Sequence, residues 1–191
     1  LTTERKWGPL FAVLATTGLR FSEAIGLRWS DVDWDAGTVR VEQTVVWSHG
    51  EFHILPPKTK AGRRTVSLTQ PAVRALRRLE HECSPEIRIF RTETGAPPRH
   101  SDIRLFLHDL CDEAGVPRIN IHGLRHVAAM LAFEAVDDIY LVQQRLGHSH
   151  VGVTLAVYGY PARNESVVAP EIDRLLQATP SADTASNPDQ S

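Results

Sequence analysis

The apolar residues of this 191-residue chain change period twice, and that change limits what it can fold into more than any other feature. At the start they recur at helical spacing: Leu10, Val13 and Leu14, then Ala24, Ile25 and Leu27. This predicts helices over 5–16 and 21–28, joined at Gly18-Leu19. After turn signals at Ser30-Asp31 and Asp35-Ala36-Gly37, the period shortens and β-branched residues cluster. Val39, Val41 and Thr44-Val45-Val46 read as a first strand, 52–55 as a second and 64–68 as a third, with a turn at Ser48-His49-Gly50. Helical spacing then returns. Val73, Leu76 and Leu79 mark a helix over 70–82 with Pro71 in its first turn, and Pro97-Pro98 precede another with Ser101 as N-cap and Ile103, Leu105, Phe106 and Leu110 apolar. Further helices are expected over 122–135, 138–146, 149–158 and 164–177. The expected class is α+β, mainly α-helical, with one small three-stranded antiparallel sheet.

Composition sets outer limits. Hydrophobic content of 42% with 23% charged residues suits a globular domain with a sizeable core. No apolar run reaches membrane-span length, and the first residues lack the charged-then-apolar pattern of a signal peptide. Cys83 and Cys111 cannot make a disulfide framework, which fits a reducing, cytoplasmic setting. The net charge of −2 argues against nucleic acid on average. It hides an asymmetry: from His53 to Arg104 there are 11 Lys and Arg against 5 Asp and Glu, a local +6. That basicity permits DNA binding, and it equally suits a solvated face.

The chemistry-bearing residues fall in ordered clusters. Thr17-Gly18-Leu19-Arg20-Phe21-Ser22-Glu23 places an arginine at a helix start. Ile121-His122-Gly123-Leu124-Arg125-His126 repeats that arrangement, Leu146-Gly147-His148 follows, and Thr154-Leu155-Ala156-Val157-Tyr158 closes the series. Arginine offers a planar cationic fork for phosphate oxygens, histidine moves protons near neutral pH, and a tyrosine hydroxyl can act as a covalent nucleophile. Taken singly each has an ordinary reading: Arg20 beside Glu23 as a helix-surface ion pair, Tyr158 as a core residue. His122 and His126, one helical turn apart, have a metal-pair spacing, but Gly123 stands where a zincin needs glutamate, so no metal is expected. There is no G-x-S-x-G and no P-loop.

Together these motifs resemble the tyrosine recombinase (phage integrase) family over about residues 5–165, the catalytic domain of that family with its DNA breaking-rejoining fold. The resemblance implies that Arg20 and Arg125 clamp the scissile phosphate, that His122 and His148 assist, and that Tyr158 forms a 3′-phosphotyrosyl link to DNA. Glu23 and His126 would support the fold or orient their neighbours. The catalytic lysine belongs to the loop 56–62, expected to be mobile. Lys58 fits the family's P-K-T form and Lys60 also qualifies by position, while Lys60, Arg63 and Arg64 are candidates for backbone-phosphate contact. Tyr160 and Tyr140 are decoys. Two departures stand out: Gly123 replaces the family's usual Asp, and Val136 replaces a Gly suited to a left-handed cap.

The implied reaction is DNA strand exchange by site-specific recombination, through two transesterifications without ATP, metal or other cofactor. Its partners would be double-stranded DNA and three further copies of the chain in a homotetramer, on the nucleoid in the cytoplasm. Residues 1–178 would form the catalytic domain, 179–191 a disordered tail lacking large apolar side chains, and the N-terminal DNA-gripping domain would be absent. Leu1 in place of Met points to a piece of a longer chain. Three rivals stand beside this reading: a relaxing topoisomerase with the same chemistry, a binding-only relative, and a helical interaction domain with accidental motifs.

Overall fold

Helix α1 (Gly8–Thr17) is apolar nearly all round, and such a helix is stable only when enclosed. Gly8, Pro9, Leu10, Phe11, Val13, Leu14 and Thr17 are buried in it. A computed structural model describes residues 6–80, 84–136 and 138–147 of the chain. In it α1 lies against α3 (Gln70–Arg77) on one side and α5 (Ile121–Val136) on the other. It starts three residues later than its spacing predicts, with Pro9 in the first turn where a missing N–H costs nothing.

The helix predicted over 21–28 is cut to one turn, α2 (Phe21–Ala24), followed by a 3-10 turn at Trp29–Asp31. Past Ala24 the bonds tighten, Gly26 N–H donating to the Glu23 carbonyl and Leu27 N–H to the Ala24 carbonyl, and the Trp29 and Ser30 N–H groups turn instead to the distant Ile87 and Pro85 carbonyls. The predicted first strand is also broken, at Glu42-Gln43, where the Gln43 side-chain amide donates to the Gly26 carbonyl at 2.7 Å. β2 (Thr38–Val41) ends there, and β3 (Thr44–Ser48) leaves in a separate hairpin with β4 (Glu51–Leu55), turned at His49 and Gly50, both with positive φ. The three-stranded antiparallel sheet does form, but from β1 (Val32–Asp33), β2 and β5 (Arg64–Ser67) in the order β1-β2-β5, with Val39 opposite both Val32 and Val66. A mainly helical α+β fold is thus observed, its strands divided between a sheet and a two-stranded ribbon.

Thr69 caps α3 by accepting from the Ala72 N–H, and the face it buries against α1 consists of Ala72, Ala75 and Leu76 rather than the larger Val73. Helix α4 (His100–Glu113) begins one residue before the predicted cap: Arg99 holds the extended boundary position, and the Ser101 hydroxyl donates to Asp102 Oδ1 instead. Ile103, Leu107 and Cys111 face the core, whereas Leu105 is exposed. Val136 stays inside α5, so no left-handed cap is demanded of it, and Asp138 starts α6 (Ile139–Leu146) by accepting from the Tyr140 and Leu141 N–H groups. The loop 56–62 contains a 3-10 turn, Lys60–Gly62, capped by Thr59. Among the described residues no helix is long and apolar enough to cross a membrane. The helices predicted over 149–158 and 164–177, and the tail 179–191, lie outside the described residues.

Candidate active site

Arg20 ends the α1–α2 corner in extended conformation. Its backbone N–H donates to Glu23 Oε2 at 2.7 Å and its Nη1 to Glu23 Oε1 at 2.9 Å, so the carboxylate fixes both the main chain and the guanidinium. The Arg20 side chain remains nearly half exposed, and its Nε and Nη2 have no partner among the described residues. Two residues earlier Gly18 is left-handed (φ 70°) and caps α1. A β-carbon there would lie 2.6 Å from Leu146 Cδ2, so a larger residue would strain the left-handed backbone and displace the Leu146 side chain at the end of α6.

Helix α5 delivers the second cluster. Asn120 Oδ1 accepts from the Gly123 N–H at 2.7 Å and so holds the helix start. The space beside Gly123 would admit a side chain at ordinary contact distance. The departure therefore removes an acid from the first turn without disturbing the helix that carries His122 and Arg125. Arg125 is 3% exposed. Its Nη1 donates to the Gly18 carbonyl and its Nη2 to the Leu146 carbonyl at 2.7 Å, joining the corner before Arg20 to the turn before His148. The His122 and His126 rings meet edge to face at 4.9 Å. Burial, then the charges of His126, Arg125 and Arg20, hold the His122 imidazole below its ordinary pKa, which keeps it neutral near pH 7. Among the described residues no group of three or more His, Cys, Asp or Glu gathers to hold a metal ion.

Arg64 occupies a different place from the one its sequence neighbours suggest. It turns inward from β5, and its Nη1 and Nη2 donate to the two oxygens of Glu23 at 3.2 and 3.0 Å, while Nε donates to the Arg145 carbonyl at 2.7 Å. Burial pushes the Glu23 carboxyl up, but the hydrogen bonds and charge of Arg64, with those of Arg20, outweigh it and leave the acid below its usual range. Arg145, which sequence reading passed over, donates to the Thr16 carbonyl and to Ser67 Oγ and O, all at 2.9–3.0 Å. Burial and the nearby Arg64 draw its guanidinium below the ordinary value. Two arginines, Arg20 and Arg64, thus share one buried carboxylate, a balance that leaves positive charge for an anion.

Lys58, Lys60 and Arg63 stand exposed on the loop leading to β5, with no ion pair among the described residues. Elsewhere the basic stretch is partly consumed internally, Arg77 stacking on Trp34 and Arg99 on Trp47 at 3.7 and 4.2 Å from the ring centres. Tyr140 is an exposed residue of α6. His148, Tyr158 and Tyr160 lie outside the described residues.

Residues 8–165 match the phage integrase family. The chain belongs to that family. The integrase of the ICEBs1 element of Bacillus subtilis (strain 168) is 28% identical over 178 residues, covering 87% of this chain and 48% of that protein. A putative prophage phiRv2 integrase of Mycobacterium tuberculosis (strain ATCC 25618 / H37Rv) is 31% identical over 169 residues, covering 85% and 45%. The chain therefore spans about half the length of the curated relatives it matches. Among solved structures, the Tn1549 transposon integrase in complex with circular intermediate DNA superposes with a TM-score of 0.74 at 24% identity, covering 89% of this chain and 60% of that one. The XerA recombinase gives 0.64 at 24% identity, covering 89% and 58%. At these identities the superpositions establish the fold, that of tyrosine recombinase catalytic domains. Membership sets aside the accidental-motif reading.

Proposed function

We propose that this chain is the catalytic domain of a site-specific DNA recombinase that cuts and rejoins duplex DNA through a 3′-phosphotyrosyl intermediate. The observation that carries this reading is the Arg125 guanidinium joined to both the Gly18 and Leu146 carbonyls, which draws Arg20, Arg125 and the turn before His148 toward one point. Arg20 and Arg125 then receive the non-bridging oxygens of the scissile phosphate and stabilise the charge that grows on them in the transition state. The Tyr158 hydroxyl attacks phosphorus. Its proton passes to a neutral acceptor, for which His122 is poised, and the DNA 5′-oxygen leaves with a proton from Lys58 or Lys60. A 5′-hydroxyl from a second duplex attacks the phosphotyrosine, restores the tyrosine and joins the new strand. The energy of the phosphodiester is kept in the protein–DNA bond, so neither ATP nor metal enters this scheme.

Residues 1–178 act as this domain in the proposal, with Lys60 and Arg63 on backbone phosphate and the nucleoid as the place of action. Assembly as a homotetramer on synapsed DNA is supported by the exposed apolar residues Met130, Leu131, Tyr140 and Leu141 on α5 and α6, beside an open groove of about 860 Å³. Sedimentation with synapsed two-site DNA tests that; monomers alone would refute it. The chemistry is tested by covalent trapping on nicked suicide DNA. The wild-type chain forms a denaturant-resistant adduct, and Tyr158→Phe binds DNA without forming one. DNA binding with no adduct would convert the reading to a binding-only relative, and plasmid relaxation without a specific site would convert it to a topoisomerase.

A further inference from the structure

We propose that Arg64 is a positioning residue that ties the two halves of the reaction centre together and does not bind DNA. This rests on the recombinase reading above. Arg64 is only 7% exposed in its side chain, facing a Glu23 side chain that is 1% exposed. The Glu23 carboxylate accepts from four N–H groups, the Arg20 backbone and Nη1 and the Arg64 Nη1 and Nη2, which fills the acceptor positions a carboxylate has. Arg20 is therefore aimed by an acid that Arg64 aims.

The other end of the same guanidinium holds a helix terminus. The last carbonyls of α6 have no partner within the helix and carry the negative end of its dipole. Arg64 Nε takes the Arg145 carbonyl, and Arg125 Nη2 takes the next one, Leu146. Gly147 follows with φ 67°, and a β-carbon on it would stand 2.7 Å from Arg64 Nη1. The turn that delivers His148 is thus fitted against Arg64 directly. Arg64 spends Nε on the Arg145 carbonyl, Nη1 on Glu23 and the Gly62 carbonyl and Nη2 on Glu23, so its fork is committed within the protein, whereas neighbouring Arg63 is exposed and placed to meet a phosphate.

The test compares wild type, Arg64→Ala and Arg64→Lys in single-turnover cleavage of suicide DNA, with affinity measured across a salt series. In Arg64→Ala, cleavage per bound complex falls on the order of a hundredfold, as expected for reacting groups displaced by about an ångström. Affinity and its salt slope stay as in wild type, whereas a lost phosphate contact would lower the slope by about one. Arg64→Lys keeps the charge but lacks the fork, and recovers only part of the rate. Combined with Glu23→Gln, Arg64→Ala adds far less than it does alone, because its effect runs through that carboxylate. Unchanged cleavage, or a loss confined to affinity and slope, overturns the proposal. A readout independent of cleavage is amide exchange in Arg64→Lys: the N–H groups of Arg20 and Gly147 both exchange faster, and no change at either overturns the proposal even if Arg64→Ala fails to fold. Failure of the recombinase reading shows separately, as a wild-type chain that forms no adduct.

Discussion

Replacing Gly147 with alanine tests the tightest contact at the site. Two costs add. The left-handed backbone at φ 67° costs an alanine about 1–2 kcal/mol. The new methyl would lie 2.7 Å from Arg64 Nη1, 3.0 Å from Arg64 Cζ and 2.9 Å from the Ala61 carbonyl oxygen. The Ala61 oxygen is backbone, and Arg64 is pinned by bonds to Glu23, Gly62 and Arg145, so neither gives way freely. Overpacking of this kind costs about 1–3 kcal/mol. Gly115 supplies the control: its φ is 65°, and an added β-carbon would meet nothing within 4 Å. Gly115→Ala should therefore lose only the backbone part, and Gly147→Ala about 2–5 kcal/mol in all. For a chain of this size that is a drop in Tm of about 4–20 °C against about 2–8 °C for the control. Urea unfolding followed by far-UV circular dichroism measures both. If the two variants differ by less than about 0.5 kcal/mol, the contact between the α6 end and Arg64 is not close enough to matter, and the reasoning built on it fails.

The remaining predictions concern protons. Burial and the charges of His126, Arg125 and Arg20 depress the His122 pKa, so its neutral form persists as pH falls below the ordinary histidine value near 6.5. A histidine NMR titration should place its midpoint below 6.5, partly restored upward in His126→Gln; a midpoint at or above 6.5 in wild type refutes the assignment. Glu23, also depressed, stabilises the fold above the ordinary glutamate pKa, and that contribution is lost as pH falls through the lower folded value. Wild type should therefore lose more stability than Glu23→Gln between pH 7 and strongly acidic conditions, and parallel pH–stability curves would contradict this. On a substrate with a 5′-phosphorothiolate leaving group, cleavage should be rescued in whichever of Lys58→Ala and Lys60→Ala has lost the general acid; rescue of neither leaves the acid on another residue.

Helix positions were legible where one apolar face repeats without interference. α5 and α6 lie within a residue or so of the expected 122–135 and 138–146 because their buried residues, such as Leu124, Ala128, Val142 and Leu146, repeat at helical spacing. What local spacing could not carry is a contact made from far away. After Ala24 the Trp29 and Ser30 N–H groups reach the Ile87 and Pro85 carbonyls nearly sixty residues on, and Gln43 reaches back 17 residues to the Gly26 carbonyl. Nothing in the residues from Phe21 to Arg28 announces these contacts, and the same holds for the hairpin's departure from the sheet. The cap of α4 failed for a nearer reason: Ser101 suits an N-cap by type, but Arg99 already holds the extended boundary conformation.

The site shows the same division between residue type and residue direction. Arg20 and Arg125 could be named from their motifs, yet the motifs do not say that Arg125 spends donors on two backbone carbonyls to bring its partners together. Arg64 and Arg63 look alike as adjacent cations after a lysine-bearing loop. The strand period separates them. Side chains alternate across β5, Val66 is buried, and Arg64 lies two residues before it on the same face, while Thr65 points out. That alternation was present in the sequence as a signal that Arg64 points inward. An inward arginine needs an acid, since an unpaired buried charge is costly. Glu23 is the acid, and it already had Arg20 as a neighbour three residues away. Placing the second arginine on a carboxylate that one arginine could satisfy leaves the cluster cationic overall, and a phosphodiester is the kind of ligand that such an excess, half exposed at Arg20, is suited to receive.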